Sequence, residues 1–401
     1  KSWIMYDVCN SALVLLATSV IPIYFKSLAD GPALVAWSYG ETIASLVIAL
    51  LMPVLGSIAD MQGMKKKFVV GTVATVAMGL PASAMAFLVI YVVSSVMLNS
   101  SIVFYDALLV DATTDERMDE VSSQGYAWGY IGSVVPFIAC LAVVLMHERL
   151  GLTLQAAMQI SFAITAAWWV AFTIPLLRNV EQTHFKPLED HALSKAITGV
   201  GATLVRIWRD ETLRNYLIAY FFYIDGVHTI IKLSTSYGSD LGIEGTQLVL
   251  ALLVTQFVAF PSAIAYGKLG TRLGTKRMLL VGIAGYTFIT CFAAFFLRSA
   301  AEFWFLAIMV GLFQGGIQAL SRSEFGKLCP KEHANEYFGF FDIFGKYAAI
   351  MGTFIVGTMT ALTGNGSLGV FSIVILFVVG FVMMLKVPER RAATAGAGGA
   401  E

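Results

Sequence analysis

Runs of about 20 apolar residues, separated by short polar stretches, recur along the whole chain and leave few folds open to it. At about 1.5 Å of rise per residue, a helix of that length crosses the roughly 30 Å hydrocarbon layer of a bilayer. It also satisfies its own backbone hydrogen bonds, which lipid cannot do. Composition agrees: 58% of the residues are hydrophobic and only 13% are charged, where a soluble chain carries about 25% charge. The chain reads as a polytopic helical membrane protein.

Twelve spans follow, at approximately 3–24, 33–56, 67–82, 84–110, 122–146, 153–177, 212–237, 246–268, 276–297, 301–322, 336–362 and 366–386. The third and fourth form one apolar stretch, divided where Gly79-Leu80-Pro81 permits a turn. Lys and Arg set the orientation. With the N-terminus inside, only Lys26, Arg149, Lys232 and Arg298 of the 26 basic residues fall on the outer side. Both termini are then cytoplasmic. The longest polar connection, 178–211, carries Leu193, Ile197, Leu204 and Trp208 at helical spacing, with Lys195, Arg206 and Arg209 between them. That pattern predicts an amphipathic helix on the inner membrane surface, joining a bundle over 1–177 to one over 212–387. Residues 388–401 are low in complexity and read as a disordered tail.

The two bundles repeat each other. Gly56-Ser-Ile-Ala-Asp60-Met-Gln-Gly63-Met-Lys65-Lys66 between spans two and three matches Gly267-Lys-Leu-Gly-Thr271-Arg-Leu-Gly274-Thr-Lys276-Arg277 between spans eight and nine, at an offset of 211. At 218, Asp7 meets Asp225, Asn10 meets His228 and Ser11 meets Thr229; at 216, Gly129 meets Gly345. Corresponding loops on the same side make this a parallel repeat of two six-helix halves.

The G-x-x-x-D-x-x-G-x-[KR]-[KR] loop resembles the signature of the major facilitator superfamily, complete at Gly56–Lys66 and with Thr271 in place of the acid in the second copy. Tyr6-Asp7-Val8-Cys9-Asn10-Ser11-Ala12, Phe104-Tyr105-Asp106-Ala107, Asp225-Gly226-Val227-His228-Thr229 and Gln318-Ala319-Leu320-Ser321-Arg322-Ser323 resemble one branch of it, the autophagy-related vacuolar amino-acid effluxer family. Cys9 and Asp106 depart from that branch's Ala and Asn. The resemblance implies a central cavity lined by spans 1, 4, 7 and 10, alternating access, and efflux of amino acids or similar small polar metabolites. It also implies that Asp60, with Lys65 and Lys66, helps to latch the inner side.

Several residues fall at telling places. Asp225, His228 and Lys232 lie at i, i+3 and i+7 in an apolar run, on one helical face. Such a stripe must face protein or water. Asp7 and Asp225 are either coupling or substrate-binding carboxylates or ties between helices. His228 is a proton relay or a packed neutral ring; Lys232 holds a substrate carboxylate or snorkels outward. Asp106 and Arg322 correspond at 216 and form either an inner gate or two wetted charges. Asn10, Gln314 and Gln318 are candidate cavity liners. Asp342 and Lys346 read as a local ion pair, and Glu41 and Gln256 stand alone.

Other classes find no support. The net charge is zero and no basic surface for nucleic acid emerges. Cys9, Cys140, Cys291 and Cys329 fit neither a metal site nor a disulfide framework. No P-loop, G-x-S-x-G or H-E-x-x-H motif occurs, so neither enzyme chemistry, cofactor nor metal is expected. The expectation is an all-α membrane protein of twelve transmembrane helices in two bundles. It would be a monomeric secondary transporter of a bacterial inner membrane, moving a small polar solute with the proton as candidate coupling ion. The competing class is a non-transporting receptor or assembly partner on the same fold.

Overall fold

The computed structural model describes residues 1–19, 21–28, 33–64, 83–187, 192–240 and 242–389. Among them the chain is helical, with a single isolated bridge between Met61 and Lys186 in place of any sheet. The first half runs through α1 (Ser2–Ser19), α2 (Ile21–Leu28), α3 (Ala33–Ala59), α4 (Ala84–Ala107), α5 (Leu109–Ala112), α6 (Met118–Leu145) and α7 (Leu154–Asn179). After α8 (Ala192–Arg209), the second half runs through α9 (Glu211–Asp240), α10 (Gly245–Leu273), α11 (Thr275–Phe295), α12 (Ala300–Leu328), α13 (Ala334–Thr363), α14 (Gly366–Ser372) and α15 (Val374–Lys386).

Ten helices among the described residues are long and apolar enough to cross a membrane. The expected third span, the basic residues Lys65 and Lys66, most of the tail and the side chain of Glu41 lie outside those residues. Helix starts follow local chemistry. Ser83 accepts from the Ala86 amide at 3.3 Å, Thr153 from Ala156 at 3.1 Å and Asn365 from Ser367 at 2.9 Å. Each side chain satisfies an amide that the first turn leaves unpaired.

The repeat is visible in packing. In the first half α1 packs on α7 and α3 on α4; in the second, α9 packs on α15 and α10 on α12. Both signature loops turn at a left-handed glycine, Gly63 at φ 72° and Gly274 at φ 100°. A side chain there would be strained, which is why glycine recurs at the 211 offset.

Contacts divide the chain into two compact units. Unit 1 holds Lys1–Ala112, Gly125–Val205 and Cys329–Ile343; unit 2 holds Thr113–Gln124, Arg206–Leu328 and Phe344–Glu401. Unit 1 thus includes the start of α13, and unit 2 the start of α6. The core of unit 1 is aromatic: Trp3 stacks on Tyr105 at 4.4 Å and its indole donates to the Tyr105 carbonyl at 2.9 Å. The Tyr6 hydroxyl meets Ser101 and joins α1 to α4. In unit 2 the Tyr223 hydroxyl meets Ser321 Oγ at 2.7 Å and joins α9 to α12. Each half therefore ties its first span to its fourth by a tyrosine–serine hydroxyl pair.

The connecting segment contains α8. Ala196, Thr203 and Ile207 are buried, while Ile197, Leu204 and Trp208 face outward. Before it, residues 180–187 form a strap tied to Asp60, Gln62 and Asp111.

Candidate functional site

Asp60 directly follows α3, opening the turn after it, and is fully buried. Its Oδ1 accepts from the Asn335 amide at 2.8 Å and from Asn335 Nδ2 at 2.9 Å, and its Oδ2 accepts from the Glu336 amide at 3.0 Å. Asn335 and Glu336 open the first turn of α13, where amides lack intrahelical acceptors and the helix dipole favours an anion. Gly56 makes the approach possible, since a Cβ there would sit 2.5 Å from the Asn335 carbonyl oxygen. Asp60 thus meets the N-terminus of a helix from the second half of the sequence.

The strap adds a layer that the sequence did not disclose. The Gln182 carboxamide nitrogen reaches the carbonyls of Ala59, Asp60 and Met61 at 3.4, 3.3 and 3.1 Å, capping the end of α3. Lys186 pairs its backbone with Asp60 and Gln62, at 2.8 and 3.1 Å. Its ammonium lies 3.1 Å from Glu336 Oε2. Asp111 anchors the other edge, accepting from the Thr183 and His184 amides at 3.0 and 2.8 Å.

Unit 2 carries the counterpart with its acid displaced. Asp119, in the first turn of α6, is buried and accepts from Ser323 Oγ at 2.5 Å, Lys327 Nζ at 2.6 Å and Thr275 Oγ1 at 2.7 Å. Gly267 packs against it, with a Cβ there 2.6 Å from the Ser123 Cβ and 3.1 Å from the Asp119 carbonyl. Asp119 corresponds to Asn335 at the 216 offset, so the carboxylate has moved from the loop to the facing helix. Sequence reading passed over Asp119 because an acid in a first helical turn is ordinary. The missed signal was the loss of the loop acid at Thr271.

Arg322 is buried on α12 and donates through Nε and Nη2 to the Ser122 hydroxyl and carbonyl, both at 3.0 Å. Its expected partner Asp106 lies in unit 1, partly buried near the end of α4.

Asp225 lies at the middle of α9 and is fully buried. Its Oδ1 accepts from the Gly352 amide on α13 at 2.9 Å and from Thr229 Oγ1 at 3.2 Å. Its buried Oδ2 accepts from no protein group. Gly352 is required for this approach, because a Cβ would fall onto Thr229 Oγ1 and 2.6 Å from Asp225 Oδ1. The His228 ring is half-buried and hydrogen-bonds the Gly345 backbone. Lys232, one turn further, is exposed. In the first half Asp7 and Asn10 are buried, with Asn10 Nδ2 3.4 Å from Asp7 Oδ1. Gly129 packs on this turn, 3.1 Å from the Asp7 carbonyl if given a Cβ.

Gln314 and Gln318 lie one turn apart on α12. Gln318 is partly buried on α12. Gln314 lines a cavity inside unit 2, together with Gln256. No group of three or more metal-ligating side chains occurs among the described residues.

The family profile of vacuole effluxer Atg22-like proteins matches residues 35–397. A protein of Bacillus subtilis described as an uncharacterized MFS-type transporter, YxiO, is 46% identical over 97% of this chain and 95% of its own length. Autophagy-related protein 22 of Cryptococcus neoformans is 26% identical over 68% of this chain, which spans 53% of that longer protein. Among solved structures, the major facilitator transporter FucP in its outward conformation superposes with a TM-score of 0.73 at 12% identity, over 97% of this chain and 98% of that one. The human organic anion transporter MFSD10 gives 0.72 at 13%, over 96% and 97%. At such identities the superpositions speak for the fold alone. The chain belongs to the Atg22-like vacuole effluxer family, as a multi-pass membrane transporter of the major facilitator type.

Proposed function

We propose that the protein is a secondary transporter that exports a small polar metabolite, of the amino-acid class, by alternating access with a proton as coupling ion. The observation that carries the reading is Asp225. It is a buried carboxylate on the first span of the second half, with one oxygen bound to the Gly352 amide and the other accepting from no protein group. An uncompensated buried carboxylate is costly unless it takes a proton or a cationic partner. A group in that position responds to both a coupling proton and a substrate ammonium.

Asp7 and Asn10 supply the corresponding turn of the first half, and His228 sits one turn beyond Asp225. Lys232 has no counterpart in the first half, where Val14 stands, and serves to hold the carboxylate of a zwitterion. Asp60 and Asp119 serve as latches, each fastening a signature loop to the start of a helix from the other half of the sequence. Both termini face the cytoplasm, which fits a bacterial inner membrane. The superfamily membership and the export suggested by the fungal relatives' family support this reading.

The test is flux. Proteoliposomes holding the purified protein are screened with labelled neutral amino acids, with and without an imposed pH gradient. Saturable uptake or release that the gradient accelerates, and that Asp225→Asn abolishes, supports the reading. Flux that Asp225→Asn leaves unchanged in rate and in pH response overturns the assignment.

A further inference from the structure

Two helices are divided between the compact units. α6 is divided between Gln124 and Gly125, and α13 between Ile343 and Phe344. They are counterparts in the repeat, because the 216 offset that takes Gly129 to Gly345 also takes Pro136 to Gly352. Alternating access rocks one bundle against the other. A helix shared between moving units must then bend or let go.

Both helices are weakened at that corresponding place. In α6 the residue is Pro136, inside the helix, with no amide to donate and a ring that crowds the carbonyl four residues back. In α13 it is Gly352, which has an amide but lends it to a neighbour: the amide donates to Asp225 Oδ1 on α9 at 2.9 Å. An amide in a helix interior otherwise donates four residues back, here to Ala348. Seven residues earlier, on the same face, His228 of α9 hydrogen-bonds the Gly345 backbone. Side chains inserted into a helical ladder cause kinks, and glycine opposes a bend least. So α9 engages two backbone groups of α13, both at glycines, just past the division between the units.

Two carboxylates hold α13, and they differ. Asp60 holds its first turn with both oxygens occupied, through Asn335 and Glu336. Asp225 holds its middle with Oδ1 alone, and the buried Oδ2 accepts from no protein group. A proton can therefore reach a lone pair of Asp225 that no donor already fills, and a neutral carboxyl is the weaker acceptor for the Gly352 amide. The other titratable groups on the surrounding helices are His228 and Lys232 on α9, Asp342 and Lys346 on α13, and Arg322 and Glu324 on α12, which α9 meets at Tyr223. Charges on α10 and α11 stand in the last turns of the one and the first turn of the other, and α15 has none before Lys386.

We propose that Gly345–Gly352 is a hinge in α13 set by Asp225, which rests on the reading of Asp225 as the group that takes the coupling proton. The charged carboxylate draws the Gly352 amide towards α9 and keeps α13 pliable where it passes from one unit to the other. When a proton neutralises Asp225, the amide returns to the Ala348 carbonyl and the helix stiffens. In α6 the weak point is permanent, because Pro136 has no amide to return. Coupling then works through the backbone of α13, with Gly352 as the positioning residue.

NMR on the purified full-length protein in detergent tests this. The chain has two Met-Gly pairs, Met78-Gly79 and Met351-Gly352. Carbon-13 in the methionine carbonyls and nitrogen-15 in the glycine amides therefore leave two signals, and Gly352→Ala identifies one by its loss. In wild type the Gly352 amide proton moves to lower field as the pH rises from about 5 to about 8. Amides at 346–356 exchange about tenfold faster at the upper pH, once the intrinsic pH dependence is removed. His228→Gln keeps both changes. Asp225→Asn abolishes both, with Asp225→Ser in its place if the asparagine variant does not fold. Amides around Pro136 show no such change. A Gly352 signal that stays still, a movement that survives Asp225→Asn, or one that His228→Gln removes overturns the hinge. Flux is read separately: a still signal beside proton-driven flux rejects the hinge and keeps the transport reading, and a moving signal without such flux does the reverse.

Discussion

Asp60 and Asp119 are two buried carboxylates that fasten the two signature loops in opposite ways. Asp60 sits on its loop and receives the amides of Asn335 and Glu336 at the start of α13. Asp119 sits on the start of α6 and receives Thr275 and Lys327. In one repeat the loop holds the charge and the helix supplies the donors; in the other the roles are exchanged. Both arrangements bury a negative charge at a helix N-terminus, where the dipole favours it. This explains how the second loop functions without an acid at Thr271.

Asp60→Ala leaves the Asn335 and Glu336 amides without their acceptor. Hydrogen bonds to a charged group contribute about 1.5–3 kcal/mol each, partly offset by water entering the gap. Amide hydrogen exchange at 334–337 should accelerate by at least tenfold, with little change in α10–α12. Unchanged exchange at those amides would contradict the latch.

Asp119 and Lys327 form a buried ion pair, with side chains 3% and 12% exposed. Removing one partner strands the other, at a cost of about 3–5 kcal/mol. Asp119→Asn and Lys327→Met should each lower the unfolding temperature, and the double variant should lose less than the sum of the two. Additive losses in that double-mutant cycle would show the pair to be uncoupled.

The signature loops were legible because glycine at a left-handed turn and an acid at a fixed spacing leave marks on the sequence. Asp225 was legible because a charge in an apolar run needs a reason. Its bond to Gly352 was not, since glycines in transmembrane helices are common and nothing marks which one admits a neighbour. The strap at 180–187 leaves little mark on the sequence, because it binds largely through backbone groups and any sequence can supply those. Asp119 escaped notice because an acid in a first helical turn is unexceptional until its neighbours from distant spans are in place.

The strap gives a further prediction. Gln182→Ala removes the amide that caps the end of α3, and Lys186→Met removes the cation at Glu336. Limited proteolysis should cut the double variant within 180–187 several-fold faster than wild type. Equal rates would mean that the strap is held by its backbone bonds alone.

Gly352→Ala places a methyl against Thr229 and Asp225. Overpacking of this kind costs about 1–3 kcal/mol. The substitution should lower thermal stability and flux together, and Thr229→Ala in the same chain should recover part of both. No loss in the single variant would contradict the close approach of α9 and α13.

The central claim is that Asp225 is the coupling and substrate group. Its most direct test is the release of a labelled neutral amino acid from proteoliposomes, with and without a proton gradient, for wild type and Asp225→Asn at matched protein density. The account predicts gradient-accelerated release by wild type, and for Asp225→Asn release at least 100-fold slower and indifferent to the gradient. Release by Asp225→Asn at the wild-type rate, still accelerated by the gradient, would contradict it.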